Sequence, residues 1–67
     1  MITIHLDEQA LQLPPGSTLA ELLVRQQRAP ESVATARNGE FVAREARPGT
    51  VLIDGDRILL FKPIVGG

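Results

Sequence analysis

Only one segment of this chain, "TLAELLVRQQR", carries apolar residues at helical spacing, and prolines bracket it: Pro14 and Pro15 before, Pro30 after. Leu19, Leu22 and Leu23 form one stripe, which is how a surface helix presents a buried face. Thr18 and Glu21 stand at capping-box spacing, where each side chain can satisfy an orphan backbone N–H at the helix start. Arg25 and Arg28 lie toward the end favoured by cations, and Pro30 is read as the stop. A chain of 67 residues has room for one core, and at this size buries only about 60% of the surface its unfolded form exposes. A single helix can cover a single face of a sheet. Whatever else the chain forms must therefore be one sheet with one face left open.

The rest of the chain reads as strands. Ile2, Ile4 and Leu6 alternate with Thr3 and His5, the period of a strand with one buried face. "LDEQ" supplies a polar turn, and Leu11 and Leu13 continue the alternation beside Ala10 and Gln12, so residues 2–13 form a hairpin. "PPGST" ends it, because proline cannot donate to a ladder. Asn38-Gly39 in "VATARNGEFV" marks a second tight hairpin, since both residues tolerate positive φ. "REARPGTVLI" is the least regular stretch, read as a loop with a short strand or a turn of helix. "DGD" is another turn and "RILLFK" the last strand. This order of hairpin, helix, further strands and final strand predicts an α+β fold of β-grasp type. A mixed sheet of four to five strands carries one main helix on one face, and the final strand pairs beside the first in the middle. The domain is expected to span 1–62, with 63–67 as a flexible C-terminal diglycine tail.

Charge and composition exclude several functions. Seven Lys and Arg against eight Asp and Glu leave a net charge of −1, unlike a protein that tracks nucleic-acid phosphates with clustered cations. There is no cysteine, so disulfides and thiolate metal clusters are out and a cytosolic setting is expected. "MITIHLDEQ" does not read as a signal peptide, and no window approaches the roughly 20 apolar residues of a membrane span. A phosphate-cradling glycine loop with lysine is missing, as is any Ser/His/Asp or Cys/His set. His5, the lone histidine, is read as an ordinary sheet-face residue, because one imidazole without companion ligands makes no site. Asp54 and Asp56 are read as turn formers, too few for the six to eight oxygens calcium takes. Arg37, Arg44 and Arg47 are read as a solvated face.

Two features are left for function. In "RILLF", Ile58 and Leu60 point one way and Leu59 and Phe61 the other. One pair must lie on the open face, where a contiguous apolar patch suggests a partner surface. The second feature is "KPIVGG". Five residues beyond Lys62 reach about 16 Å at roughly 3.3 Å each, enough to enter a partner's active site. Gly66 and Gly67 lack Cβ atoms, which would let the backbone pass through a narrow channel. What they deliver is the α-carboxylate of Gly67, which resists nucleophiles until it is converted to an activated acyl group such as an acyl-adenylate.

In order and spacing, "MITIHL", "LPPGSTLAELL", "ARNGEFVARE", "DGDRILLF" and the closing "GG" resemble the sulfur carrier proteins of thiamine biosynthesis, the ThiS family, from end to end. The resemblance implies a ubiquitin-like β-grasp and a non-catalytic carrier consumed as a co-substrate. It also implies that an E1-like adenylating enzyme uses ATP to join AMP to the terminal carboxylate. A persulfide sulfur donor then displaces AMP to leave a thiocarboxylate, and thiazole synthase takes the sulfur. No cofactor would be bound by the chain itself. Carried over, Gly67 is the adenylated and sulfur-bearing residue, and Gly66, Val65 and Ile64 thread the partner's active site. Ile58 and Leu60 would face the core, and Leu59 and Phe61 the partner. The same diglycine chemistry serves the small subunit of molybdopterin synthase and ubiquitin-like modifiers. A TGS-type binding module would share "LPPGSTLAELL" but leave the diglycine without a task.

Overall fold

The computed structural model describes residues 1–62. The expected tail, with Ile64, Val65, Gly66 and Gly67, lies outside the described residues. Five strands form one mixed sheet: β1 (Ile2–Leu6), β2 (Gln9–Leu13), β3 (Ala34–Arg37), β4 (Glu40–Val42) and β5 (Arg57–Phe61), in the order β2-β1-β5-β3-β4. The last strand sits in the middle as expected, parallel to β1 and antiparallel to β3. Helix α1 (Leu19–Arg25) packs on one face. Ile4, Leu6, Leu13, Leu19, Leu22, Leu52 and Ile58 make the core beneath it, with Leu60 and Leu11 packed at its margin.

Each turn carries its own chemistry. Asn38 and Gly39 take φ of +51° and +85°, the doubly left-handed turn whose twist matches that of the strands it joins. Asp7, at φ +54° in the first hairpin, is tolerated there because its short polar side chain can bond locally. It also works at longer range. Its N–H donates to the Ile58 carbonyl (2.8 Å) and its carboxylate accepts from the Leu60 N–H (3.2 Å), tying the hairpin tip to β5.

The helix starts at Thr18, whose hydroxyl accepts from the Glu21 N–H at 3.2 Å. The box is half formed: the Glu21 carboxylate accepts from the Thr18 hydroxyl (3.3 Å) instead of reaching the Thr18 N–H. Thr18 is drawn toward Val51 by a strand-like bridge, closed by Leu19 N–H to Thr50 O and Leu52 N–H to Ser17 O. The helix also ends earlier than Pro30 suggests. Gln27 adopts φ +57°, and the N–H groups of Arg28 and Gln27 return to the carbonyls of Leu23 and Val24. This is a Schellman stop with glutamine in the position glycine usually fills. Arg28 therefore lies beyond the helix, and Pro30 opens a separate 3₁₀ turn, Pro30–Ser32.

The solvated-face reading of the arginines is corrected at two positions. Arg47, in the 3₁₀ segment Arg44–Gly49, is only 3% exposed. Its guanidinium donates to the Thr35 hydroxyl (3.1 Å), the Pro30 carbonyl (2.8 Å) and the Val33 carbonyl (2.7 Å), stapling the irregular connections to β3. Thr35, fully buried, passes the network on by donating to Val42 O at 2.9 Å. Arg37 is half-buried and paired with Asp56 at 2.9 Å. Arg44 is exposed, as read. Among the described residues no helix is long and apolar enough to cross a membrane.

Candidate functional site on the open sheet face

With α1 on one side, strand register fixes what the other side shows. Ile58 is fully buried and Leu60 partly so, whereas Leu59 and Phe61 are 48% and 46% exposed. The register sets Leu59 opposite Ala36, which is opposite Phe41 on β4, and sets Phe61 opposite Ala34. One apolar surface therefore crosses three strands. Ala34 and Ala36 are each only 8% exposed on this uncovered face, because the larger side chains that flank them across the ladder, about 4.5–5.5 Å away, overhang a methyl group. Phe41 is 68% exposed.

Phe41 is the member of this surface that sequence reading missed. Counting outward from Asn38-Gly39 pairs Ala36 with Phe41, so the hairpin register contained the signal. What was lacking was knowledge that β3 lies beside β5. The other half of the open face is mostly polar: Thr3, His5 and Gln12 occupy it with the small Ala10 on β1 and β2, and Arg57 stands across from His5. His5 is exposed, without a metal-ligand cluster around it among the described residues.

Polar contacts hold β5 firmly at its start. Asp56, 2% exposed, accepts from Arg37 Nε (2.9 Å), Asn38 Nδ2 (3.0 Å) and the Ile53 N–H (2.9 Å). Burial pushes its carboxyl up, but the bonds from Ile53, Asn38 and Arg37 outweigh that and hold it below the usual carboxylate value. Asn38 also accepts from the Arg57 N–H at 2.9 Å. Asp54 accepts from the Thr3 N–H at 2.7 Å, so both aspartates serve the turn and its anchoring to neighbouring strands. At the far end, Asp7 holds the Leu60 N–H, two residues before Lys62 leads into the segment 63–67. The arrangement is an exposed apolar surface on a strand braced along both edges. Its described residues assemble no nucleophile and base.

Comparison with known proteins agrees with this geometry. The ThiS family model matches residues 2–67. The sulfur carrier protein ThiS of Escherichia coli (strain K12) is 39% identical over 64 residues, covering 96% of this chain and 97% of that one. A crystal structure of the thiamine biosynthesis protein ThiS from Geobacter metallireducens superposes with a TM-score of 0.84 at 26% identity, covering 98% of this chain and all of the other. A solution structure of a thiamine biosynthesis protein from the same organism gives a TM-score of 0.76 at 26% identity, over 98% of this chain and 88% of that chain. A ubiquitin-like β-grasp with its last strand at the centre, matched by sequence from the first strand through the closing glycines, makes this chain a member of the ThiS family.

Proposed function

We propose that this protein is the sulfur carrier for thiazole formation in thiamine biosynthesis. The observation that carries the reading is the family match extending through Gly67, together with the 39% identity to a sulfur carrier over nearly the full length of both chains. In this reading an adenylating enzyme supplies the ATP chemistry: the Gly67 carboxylate attacks the α-phosphate, pyrophosphate leaves, and a mixed anhydride with AMP results. A persulfide then attacks the acyl carbon and expels AMP. The bond formed is a C–S bond, giving an acyl disulfide. A thiol then attacks the donor's own sulfur and breaks the S–S bond that came with the persulfide, forming a disulfide and releasing the thiocarboxylate, from which thiazole synthase takes sulfur. The carrier contributes no acid, base or cofactor. It contributes an accessible acyl group and a surface by which each enzyme recognises it, and the sequence is suited to the cytoplasm.

In this reading the work is divided between the folded face and the segment that follows it. Leu59, Phe61 and Phe41 are the surface offered to the partner, and Gly66, Val65 and Ile64 are the approach to its active site. Because β5 is hydrogen-bonded on both sides, docking on its open face would align the residues that follow it with a fixed frame, converting recognition into positioning. The chain's lack of cysteine suits a thiocarboxylate, which has no internal thiol to trap it. Intact-mass measurement after incubation with ATP, an adenylating enzyme and a persulfide donor should show the gain of one sulfur for one oxygen, located at Gly67 by fragmentation. An unchanged mass with a partner proven active on another carrier would reject the reading.

A further inference from the structure

The side of the molecule that carries α1 has a groove of its own. It lies between α1 and the 3₁₀ segment Arg44–Gly49, encloses about 250 Å³, and has apolar walls that include Leu23, Val24 and Pro48. Arg28, Arg44 and Arg47 line it, and no Asp or Glu does. In a chain whose net charge is −1, gathering three cations round one hollow is not a consequence of overall composition. Among the described residues the one ion pair is Arg37–Asp56, so none of the three groove arginines has a carboxylate at ion-pair distance. Arg47 is hydrogen-bonded by neutral oxygens only, which use three of its guanidinium hydrogens and leave it without an ion-pair partner among the described residues. Burial first, and then the nearby Arg44 charge, lower its pKa, against a smaller opposing effect of Glu45. A concave apolar surface focuses such a field outward.

We propose that this groove docks an acidic segment of a partner protein: one apolar side chain enters the hollow, and carboxylates on either side of it pair with Arg28 and Arg44. The volume supports a side chain over a free metabolite, since small-molecule sites run to roughly 300–1,000 Å³ and enclose their ligand. Val24, 74% exposed at the rim, extends the apolar contact. A neighbouring hollow of about 200 Å³ shares Arg44 and Arg47 with the groove and Ala34 and Phe41 with the open-face patch. A protein seated on that patch can thus reach the groove without leaving the surface. Glu31 lies in the linking hollow and repels carboxylates there, so the acidic residues enter from the Arg28 end. The route from the patch rests on the function proposed above; the groove and its ligand chemistry do not.

The test is an NMR titration of the full chain with an end-blocked peptide Asp-Glu-Leu-Glu-Asp. Saturable shifts should centre on Leu23, Val24, Arg28 and Arg44, with a Kd on the order of 1 mM or tighter. Raising salt from about 50 to about 300 mM should weaken binding by roughly threefold or more, because the pairs are solvent-exposed. Arg28→Glu combined with Arg44→Glu should abolish binding while the strand resonances stay in place, and Arg28→Glu alone should weaken it if the double variant folds poorly. Absence of saturable shifts would overturn the proposal. So would equal binding of a peptide with glycine in place of leucine, retention of binding by the charge-reversed variants, or the same shifts from inorganic phosphate at matched ionic strength. No enzyme takes part, so a failed sulfur transfer and a failed groove are read separately.

Discussion

The two sides of β5 are built from the same kind of residue and meet opposite fates. Ile58 is fully buried and Leu60 half-buried under α1, while Leu59 and Phe61, their immediate neighbours, stand about half exposed. Period-2 geometry explains the separation, and the existence of a single main helix explains why only one side is covered. The covered side repays its burial in stability. The open side, with Phe41 added from β4, stays about half exposed or more, and in the proposed function it is the surface used for recognition. Which side of the sheet an apolar residue of β5 occupies thus decides whether it is buried or exposed.

The largest test of that contrast is the pair Ile58→Ala and Leu59→Ala. Cutting the fully buried Ile58 should cost about 2–5 kcal/mol, and Leu59→Ala under about 1 kcal/mol, both measured by urea unfolding. Equal losses would abolish the distinction between the sides.

Asp56→Asn tests the polar anchor where the covered side runs out at the start of β5. It should cost about 2 kcal/mol at neutral pH, since hydrogen bonds to a charged group are weakened or lost. Because the folded chain holds the Asp56 carboxyl below its unfolded value, its contribution is present above about pH 4 and drains away as pH falls through the lower folded value. The variant should flatten the stability profile below about pH 4; an unchanged acid limb would assign acid sensitivity to other carboxylates.

Phe61→Asp sharpens the contrast from the open side. Its stability should stay within roughly 1 kcal/mol of the parent, while association with the adenylating enzyme, followed by titration calorimetry, should be lost. An unfolded variant would mean that Phe61 belongs to the core. The smallest effect concerns the cover itself: Gln27→Gly removes the steric cost of a left-handed non-glycine residue and should stabilise by about 0.5–1 kcal/mol. Thermal unfolding that shows a loss would imply that the Gln27 side chain matters more than its backbone.

Much of this organisation was legible in the residues. Alternation in "ITIHL" and "RILLF", the Asn-Gly turn and the leucine stripe are local signals, and local rules decode them. The misreadings share one cause. Arg47 looked like a surface cation because nothing near it in sequence reveals that Thr35 and the carbonyls of Pro30 and Val33 will converge on it. The Thr18–Glu21 box was only half right, as Thr18 is also engaged with Val51, more than thirty positions away. Pro30 is the local stop signal, but the backbone of Gln27 ends the helix three residues earlier, where no glycine advertises it. Asp7 read as turn filler, yet it reaches across to the last strand.

Sequence alone determined the sheet with one covered side, the identity of its strands, the alternation that sorts Ile58 from Leu59, and the family resemblance in the closing diglycine. These follow from short-range geometry and from patterns that persist within a few residues. Only the tertiary structure decided that Phe41 joins Leu59 and Phe61, that Arg47 is buried while Arg44 is not, and that three arginines meet around one hollow. Those facts depend on which strand lies beside which, and pairings between distant segments are set by the packing of the whole core.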